Sequence, residues 1–418
     1  MADDWDQVDG GERAQPVAVG PPRYRRSRAA RLRAERRRRR TRTFAGIAVA
    51  LLIVVVVAAV FLGSRLWNGL FGTPSDYTGD GGSDVVIQVH DGDSTTAIAQ
   101  TLLDHQVVAT VQGFVTAAQG SAAMQAIQPG FYKVRTEIPA ASAVERLADP
   151  QNRVGKLTIP EGRQLDDITD AKTNDVTEGI FSLVSQATCV SLDGNKKCVS
   201  VDDLRAAAGA GPPESLQVPQ WATEAVTKMG SDHRRIEGLI APGTWNVDPA
   251  GTPASILATL ISASSAKYTS GGLLDTATTM NMSPYDILVV GSLVQREAKP
   301  DDFAKVARVI YNRLGERRKL EFDSTVNYPL DRQEVATTDG DRAQVTPWNT
   351  YASEGLPVTP ICSPGDQALA AAEHPEAGDW LYFVTIDLQG TTLFTRDYEQ
   401  HLANIELAKR NGVLDSAR

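Results

Sequence analysis

The chain has 418 residues, 42% hydrophobic and 22% charged, which excludes wholesale disorder and leaves room for two or three domains. Its net charge of −9 hides an asymmetry: residues 1–43 hold thirteen of the 42 basic residues and six of the 51 acidic ones, so the remainder is strongly acidic. A basic head on an acidic body points to two compartments rather than to one nucleic-acid-binding surface.

Residues 1–43 read as a basic, disordered cytoplasmic tail, with twelve arginines between Arg23 and Arg42. Phe44 to Leu62 (FAGIAVALLIVVVVAAVFL) is nineteen residues without a charge. A helix of about 20 residues spans the roughly 30 Å of bilayer hydrocarbon. The segment 44–63 is therefore expected to be a single transmembrane helix, with Trp67 and Phe71 at the interface. A cleaved signal peptide is the rival, but the apolar run is too long and no small-residue cleavage site follows. The arginines place the tail inside by the positive-inside rule and add attraction to anionic lipid. Everything beyond is then extracytoplasmic, and no nucleic-acid partner is expected.

Residues 64–83 form a Gly-rich linker. In 84–155, alternating Val85, Ile87 and Val89 predict a strand. Asp91-Gly92-Asp93-Ser94 predicts a turn and helix cap, and Ile98, Leu102 and Leu103 recur at helical spacing. GFYKVRTEI from Gly130, a helix from Ala140 and KLTIP from Lys156 complete a small α+β module. The GDS turn before Ile98-Ala99 resembles a LysM-type glycan-binding module, although a structural spacer fits the same residues.

Residues 156–418 read as a mixed α+β domain. IPEGRQLDDI (Ile159 to Ile168) is expected to open a helical stretch. Residues 189–220 read as a polar surface insertion carrying Cys189 and Cys198 on either side of VSLDGNKK. Outside the cytoplasm this pair favours a local disulfide over two free thiols. No histidine lies at metal-ligand spacing from them, and Cys362 reads as a lone structural thiol. A helix is expected near Pro253 to Ala263. After Leu320 the expectation is loops and strands, with LYFVTID and TTLFTRD pairing as a hairpin, and then a last helix from Asp397.

The segment that carries chemistry starts at Ser283. Ser283 can cap a helix, Pro284 suits its first position and Asp286 completes a capping pattern. Ile287, Val290, Val294 and Glu297 then share one face. Pro300 ends the helix within a turn of Glu297, and a second helix follows with Phe303, Val306, Ala307, Ile310 and Leu314 inward. A carboxyl prolonging an apolar stripe at the negative end of a helix is pushed towards its neutral form by burial and by the macrodipole. A part-protonated glutamic acid suits general-acid cleavage of a glycosidic bond. A surface ion pair or a cap is the alternative role for Glu297 on helix physics alone.

SLVQREA, VARVIYNRL, LEFDSTVNYPL, WNTYASEGLPVTPICSPG, AAAEHP and LYFV follow in this order. The set resembles the YceG-like (MltG) endolytic murein transglycosylases over about residues 84–418. The resemblance implies that Glu297 is the catalytic glutamate. It puts Asp323, Thr325, Asn349 and Tyr351 in the cleft as substrate-binding residues, together with Gln295, which stands where the family often carries an acid. It also implies cleavage of the β-1,4 bond between N-acetylmuramic acid and N-acetylglucosamine in nascent glycan strands, with 1,6-anhydro ends and termination of strand growth. Peptidoglycan, the membrane and the synthase machinery are the implied partners; no metal or organic cofactor is needed. Leu239 to Trp245 departs from the family's usual LFPDTY. Two rivals stand beside this reading. One is a non-catalytic wall-binding scaffold. The other is a hydrolysing muramidase with Asp323 as second carboxylate, whose bland alternative is an N-cap.

Overall fold

The computed structural model describes residues 55–60, 75–330, 332–333 and 337–413. The expected tail and most of the expected membrane segment lie outside the described residues. Among the described residues no helix is long and apolar enough to cross a membrane. The chain divides into two compact units, residues 1–73 and 74–418; the second is mixed α+β.

That unit opens with β1 (Asp84–Val89), whose alternation buries Ile87 and Val89. Ser94 accepts from Ala97 N and starts α1 (Thr95–Asp104), which buries Ile98, Ala99 and Leu102. Thr110 caps α2 (Val111–Ala118), absent from the sequence reading, which buries Phe114. β2 (Gly130–Arg135) returns antiparallel to β1 with Tyr132 opposite Ile87. α3 (Ala140–Ala148) covers the sheet, and β3 (Arg153–Val154) adds to β2. Ile87, Leu102, Phe114, Tyr132, Val134 and Leu147 close a core separate from that of the following residues.

β4 (Lys156–Ile159) pairs not with this sheet but with β9 (Gly243–Asn246), Leu157 opposite Trp245. The change of partner falls at Gly155, at φ +70°, where a Cβ would stand 2.0 Å from Val247 O; only glycine fits so close an approach. The expected helix at 159–168 is not formed. Gly162 N instead donates to Ser363 O at 2.8 Å and Leu165 N to the Glu237 carboxylate at 3.1 Å, so distant partners satisfy this backbone. The strands β5 (Ile168–Asp170) and β6 (Val176–Thr177) follow, and helix begins only at α4 (Ile180–Ala187).

Cys189 and Cys198 are disulfide-bonded at the base of a hairpin formed by β7 (Val190–Leu192) and β8 (Asn195–Lys197). Asp193 and Gly194 turn it with φ of 49° and 79°, the positive values a two-residue hairpin loop requires. The hairpin reaches the small module. Asp84 N donates to Asp193 Oδ1 at 2.9 Å, Asp193 N to Asp84 Oδ2 at 3.0 Å, and Lys133 Nζ to Ser191 O at 3.3 Å. The rest of 189–220 is not a mere surface insertion. α5 (Val201–Gly209) buries Leu204 and Ala208, and Leu216 and Val218 join the main core, because apolar residues spaced among the polar ones give that stretch an inner face.

α6 (Gln220–Lys228) and α8 (Leu273–Met280) pack on α9 (Pro284–Glu297), and α7 (Pro253–Ser270) packs on α5 and α8. α9 starts where its sequence says, with Ser283 Oγ accepting from Asp286 N at 3.0 Å. It is buried all round from Ile287 to Val294, more than the single stripe expected. α10 (Phe303–Gly315) packs beside it. Past Leu320 the chain is more helical than expected, with α11 (Asp323–Asn327), α12 (Asp339–Ala343) and α13 (Asp366–Glu373); β10 (Arg332–Gln333) runs parallel to β5. α13 covers α9 with Ala368, Leu369 and Ala372. The hairpin of β11 (Tyr382–Thr385) and β12 (Thr392–Thr395) and the last helix, α14 (Tyr398–Arg410), are where the sequence puts them.

Candidate active site

Glu297 is the last residue of α9; Ala298 is already extended, at φ −139° and ψ 170°. Packing of the preceding turns carries the side chain inward while leaving it partly open to solvent. Ser324, at the start of α11, donates its hydroxyl to Glu297 Oε1. Burial pushes the Glu297 carboxyl up to about 7, and the charge of Asp323 pushes the same way; the Ser324 hydrogen bond and Arg296 hold it down. Near neutral pH both protonation states are populated.

Asp323 does not cap α11, whose N-cap is Phe322. Its carboxylate is instead held from three sides. Arg342 donates Nε to Oδ1 at 3.2 Å and Nη2 to Oδ2 at 3.1 Å, Thr337 Oγ1 donates at 2.7 Å and the Tyr351 hydroxyl at 2.8 Å. Arg342 also lies over the Tyr351 ring, 5.0 Å from its centroid. Burial and the charge of Asp323 raise the Tyr351 phenol, so it stays protonated and donates.

The other residues expected in the cleft brace it. Thr325 is fully buried; its hydroxyl donates to Phe322 O at 2.6 Å and lies 2.8 Å from Thr350 Oγ1. Asn349 is 2% exposed. Its amide donates to Arg342 O and Gln344 O, and its Oδ1 accepts from Tyr351 N and Ala352 N. Gln295 Oε1 accepts from Gly365 N at 2.8 Å, which seats the SPG loop on α9. Ser292 Oγ accepts from Ile361 N at 3.0 Å in the same contact. Buried Cys362 points its thiol at Ser292 O. These bonds orient the site; Glu297, Asp323, Tyr351, Gln295, Ser324 and Arg342 keep some exposure, while Thr325, Asn349, Ser292 and Cys362 are buried.

The sequence reading missed Ser324, Thr337 and Arg342. Ser324 stands inside the quoted FDST motif, but nothing in its local sequence marks it as a partner of Glu297. It also missed Glu237. This residue is 1% exposed, pushed up by burial to about 8, and bonded through Oε2 to Leu165 N and the Tyr328 hydroxyl.

A sequence model of the YceG-like family matches residues 87–407, and so takes in the small module, Glu297, Asp323 and the SPG loop together. The chain belongs to the YceG-like family. This YceG-like chain is similar to the endolytic murein transglycosylase of Bacillus subtilis, 26% identical over 327 residues that cover 77% of this chain and 84% of that protein. It is similar to the endolytic murein transglycosylase of Streptococcus pneumoniae at 25% identity over 293 residues, 67% of this chain; it spans half of that relative. The crystal structure of a yceG-like protein from Listeria monocytogenes matches with a TM-score of 0.48 at 24% identity, over 77% of this chain and 98% of that one.

Proposed function

We propose that this YceG-like chain is a peptidoglycan lytic transglycosylase that cleaves the β-1,4 bond from N-acetylmuramic acid to N-acetylglucosamine within glycan strands. The observation that carries the reading is the Glu297 carboxyl, poised near 7 and held at one oxygen by Ser324. With Oε1 accepting from Ser324, the proton of the neutral acid belongs on Oε2, free to go to the leaving glycosidic oxygen. The same oxygen, now ionised, takes the proton from the C6 hydroxyl of the muramoyl unit as O6 bonds to the anomeric carbon. The C1–O bond breaks, a 1,6-anhydro end forms and Glu297 returns to its starting state. The nucleophile is internal, so the paired carboxylates of ordinary glycosidases are not needed. Relatives named endolytic murein transglycosylases support this assignment.

The hydrolysing alternative asks Asp323 to activate water. Its two oxygens already receive four donor contacts, including a bidentate guanidinium, so it serves better as a fixed charge beside Glu297. The arginine-rich tail and the apolar 44–63 segment support a single-pass anchor with the catalytic body outside the cytoplasm. The small module is read as a LysM-like glycan holder and the synthase machinery as the partner that supplies fresh strand.

The test is mass spectrometry of peptidoglycan digested by the purified full chain and by Glu297→Gln. Anhydromuramic ends from the native chain alone are expected. Reducing ends would make it a hydrolase. A native chain that binds glycan without cutting it would return the scaffold reading.

A further inference from the structure

The body of the chain is strongly acidic, yet the charged residues on either side of Glu297 in the sequence, Arg296 and Lys299, are both cations and both exposed. The charge of Arg296 reaches the Glu297 carboxyl and holds it down, so the guanidinium stands near the reacting group. Two different elements seat the pair. Arg296 Nη2 donates to Gln333 Oε1 on β10 at 3.4 Å. Lys299 Nζ donates to Gln389 O at 3.1 Å, in the turn that joins β11 to β12. That turn is shaped for the ammonium. At Gly390, with φ of +90°, a Cβ would stand 1.8 Å from Lys299 Nζ, so only glycine lets the side chain lie there.

Neither cation has a carboxylate of its own. Each spends a single hydrogen bond on a neutral acceptor, and neither forms an ion pair among the described residues. Most of the guanidinium fork and most of the ammonium donors remain unspent. The acids around them are engaged elsewhere. Asp323 is paired with Arg342 at 3.1 Å. Asp387, in the hairpin turn, is fixed on Thr391 N at 2.9 Å and makes no ion pair with Lys299. Leu388, next to Gln389, is 68% exposed and adds an aliphatic surface to the same turn.

Unspent cations and a short aliphatic surface suit a peptide carboxylate. An intact murein strand carries its carboxylates on the peptide stems, because the lactyl carboxyl of each muramoyl unit is tied up in the amide that joins stem to sugar. The stem leaves the same unit whose C1–O bond Glu297 breaks, so its acids travel with the reacting sugar. We propose that Arg296 and Lys299 are specificity residues that hold the carboxylates of the peptide stem, so that Glu297 cuts strands with acidic stems in preference to strands with neutral ones. This rests on the glycan-cleaving reading and narrows the substrate of that site.

The experiment gives the full chain lipid-free strands of one length in three forms. One has acidic stems, one has every stem carboxyl amidated, and one is stripped of stems so that only lactyl carboxylates remain. For release of anhydromuramic ends, kcat/KM should be higher on acidic stems than on either other form by about fivefold or more. The ratio should shrink at high salt. Arg296→Gln combined with Lys299→Gln should bring the ratio of acidic to amidated stems to about one, while Arg296→Lys alone should keep it. The ratio is taken within each variant, so a shift in the Glu297 titration acts on both strands alike and drops out. A native chain that cuts amidated or stripped strands as fast as acidic ones, or a preference that survives in the double Gln variant, would overturn the proposal. Binding of the same strands to Glu297→Gln is measured in parallel by fluorescence anisotropy. A chain that prefers acidic stems in binding but releases no anhydromuramic ends sinks the catalytic reading and leaves the stem contact standing. If nothing is cut, equal binding of acidic and amidated stems overturns the proposal as well.

Discussion

Replacing Ser324 by alanine removes the side-chain hydrogen bond that favours the ionised form of Glu297 and leaves the burial and the Asp323 charge that oppose it. A hydrogen bond to a charged group is worth about 1.5–3 kcal/mol. At about 1.4 kcal/mol per pH unit this corresponds to about one to two units upward for the Glu297 carboxyl. The acid form is the one that starts the reaction, so native kcat/KM should fall as pH rises through about 7. In Ser324→Ala that falling limb should lie about one to two pH units higher, even if the maximal rate drops because the carboxyl is less well oriented. Ser324→Thr, which keeps the hydroxyl, should leave the limb in place. The assay is release of anhydromuramic ends from uniform glycan strands across the pH range, with folding checked by circular dichroism at each end. A limb that stays fixed, or moves down, in a folded Ser324→Ala would refute the assignment of Glu297 as the titrating acid.

Three further outcomes follow from the same geometry. The raised Glu297 carboxyl makes the native chain lose stability as pH rises from about 4.5 to about 7, because the unfolded chain ionises first. Glu297→Gln lacks this loss, so denaturant unfolding should show the variant gaining on the native chain by about 3 kcal/mol across that window; a pH-independent difference would contradict it. Arg342→Ala leaves Asp323 without its cation, so the unshielded charge should lift the falling limb of the pH profile while Arg342→Lys holds it lower; the measurement is kcat/KM against pH. Asn349→Ala strips four loop hydrogen bonds from a buried position and should cost about 3 kcal/mol of stability, whereas a residue that only touched substrate would raise KM and leave the unfolding midpoint alone.

How far the sequence reached depends on the range of the interactions involved. The start and end of α9 were legible because Ser283, Pro284 and Pro300 act on their immediate neighbours, and the side of Glu297 followed from helical spacing. The β11–β12 hairpin was legible for the same reason. What failed was non-local. The 159–168 segment was expected to open a helix, but its backbone bonds go to Ser363 and Glu237, far along the chain. Ser324 is 27 residues from Glu297, and no local pattern announces that contact. Thr325 and Asn349 were placed in the cleft by the resemblance, and their burial, 0% and 2% exposed, is set by the fold and not by their own neighbours in the chain. Glu237 gave no signal at all, being one acid in an apolar loop whose hydroxyl partner, Tyr328, lies 91 residues away.

The small hairpin that reaches over to Asp84 carries a consequence for where the chain can be fully assembled. Two short strands and a tight turn are marginal on their own; closing their ten-residue loop through Cys189 and Cys198 removes about 3 kcal/mol of freedom from the open chain. The small module is joined in sequence at Gly155 and clasped a second time by that hairpin. In a thiol-reducing milieu the second clasp loses its covalent closure, and the module is held chiefly at Gly155 and by the Arg153–Asn246 bond beside it. In an oxidising one both hold, so the setting of the module against the body records the redox history of the compartment in which the chain folded.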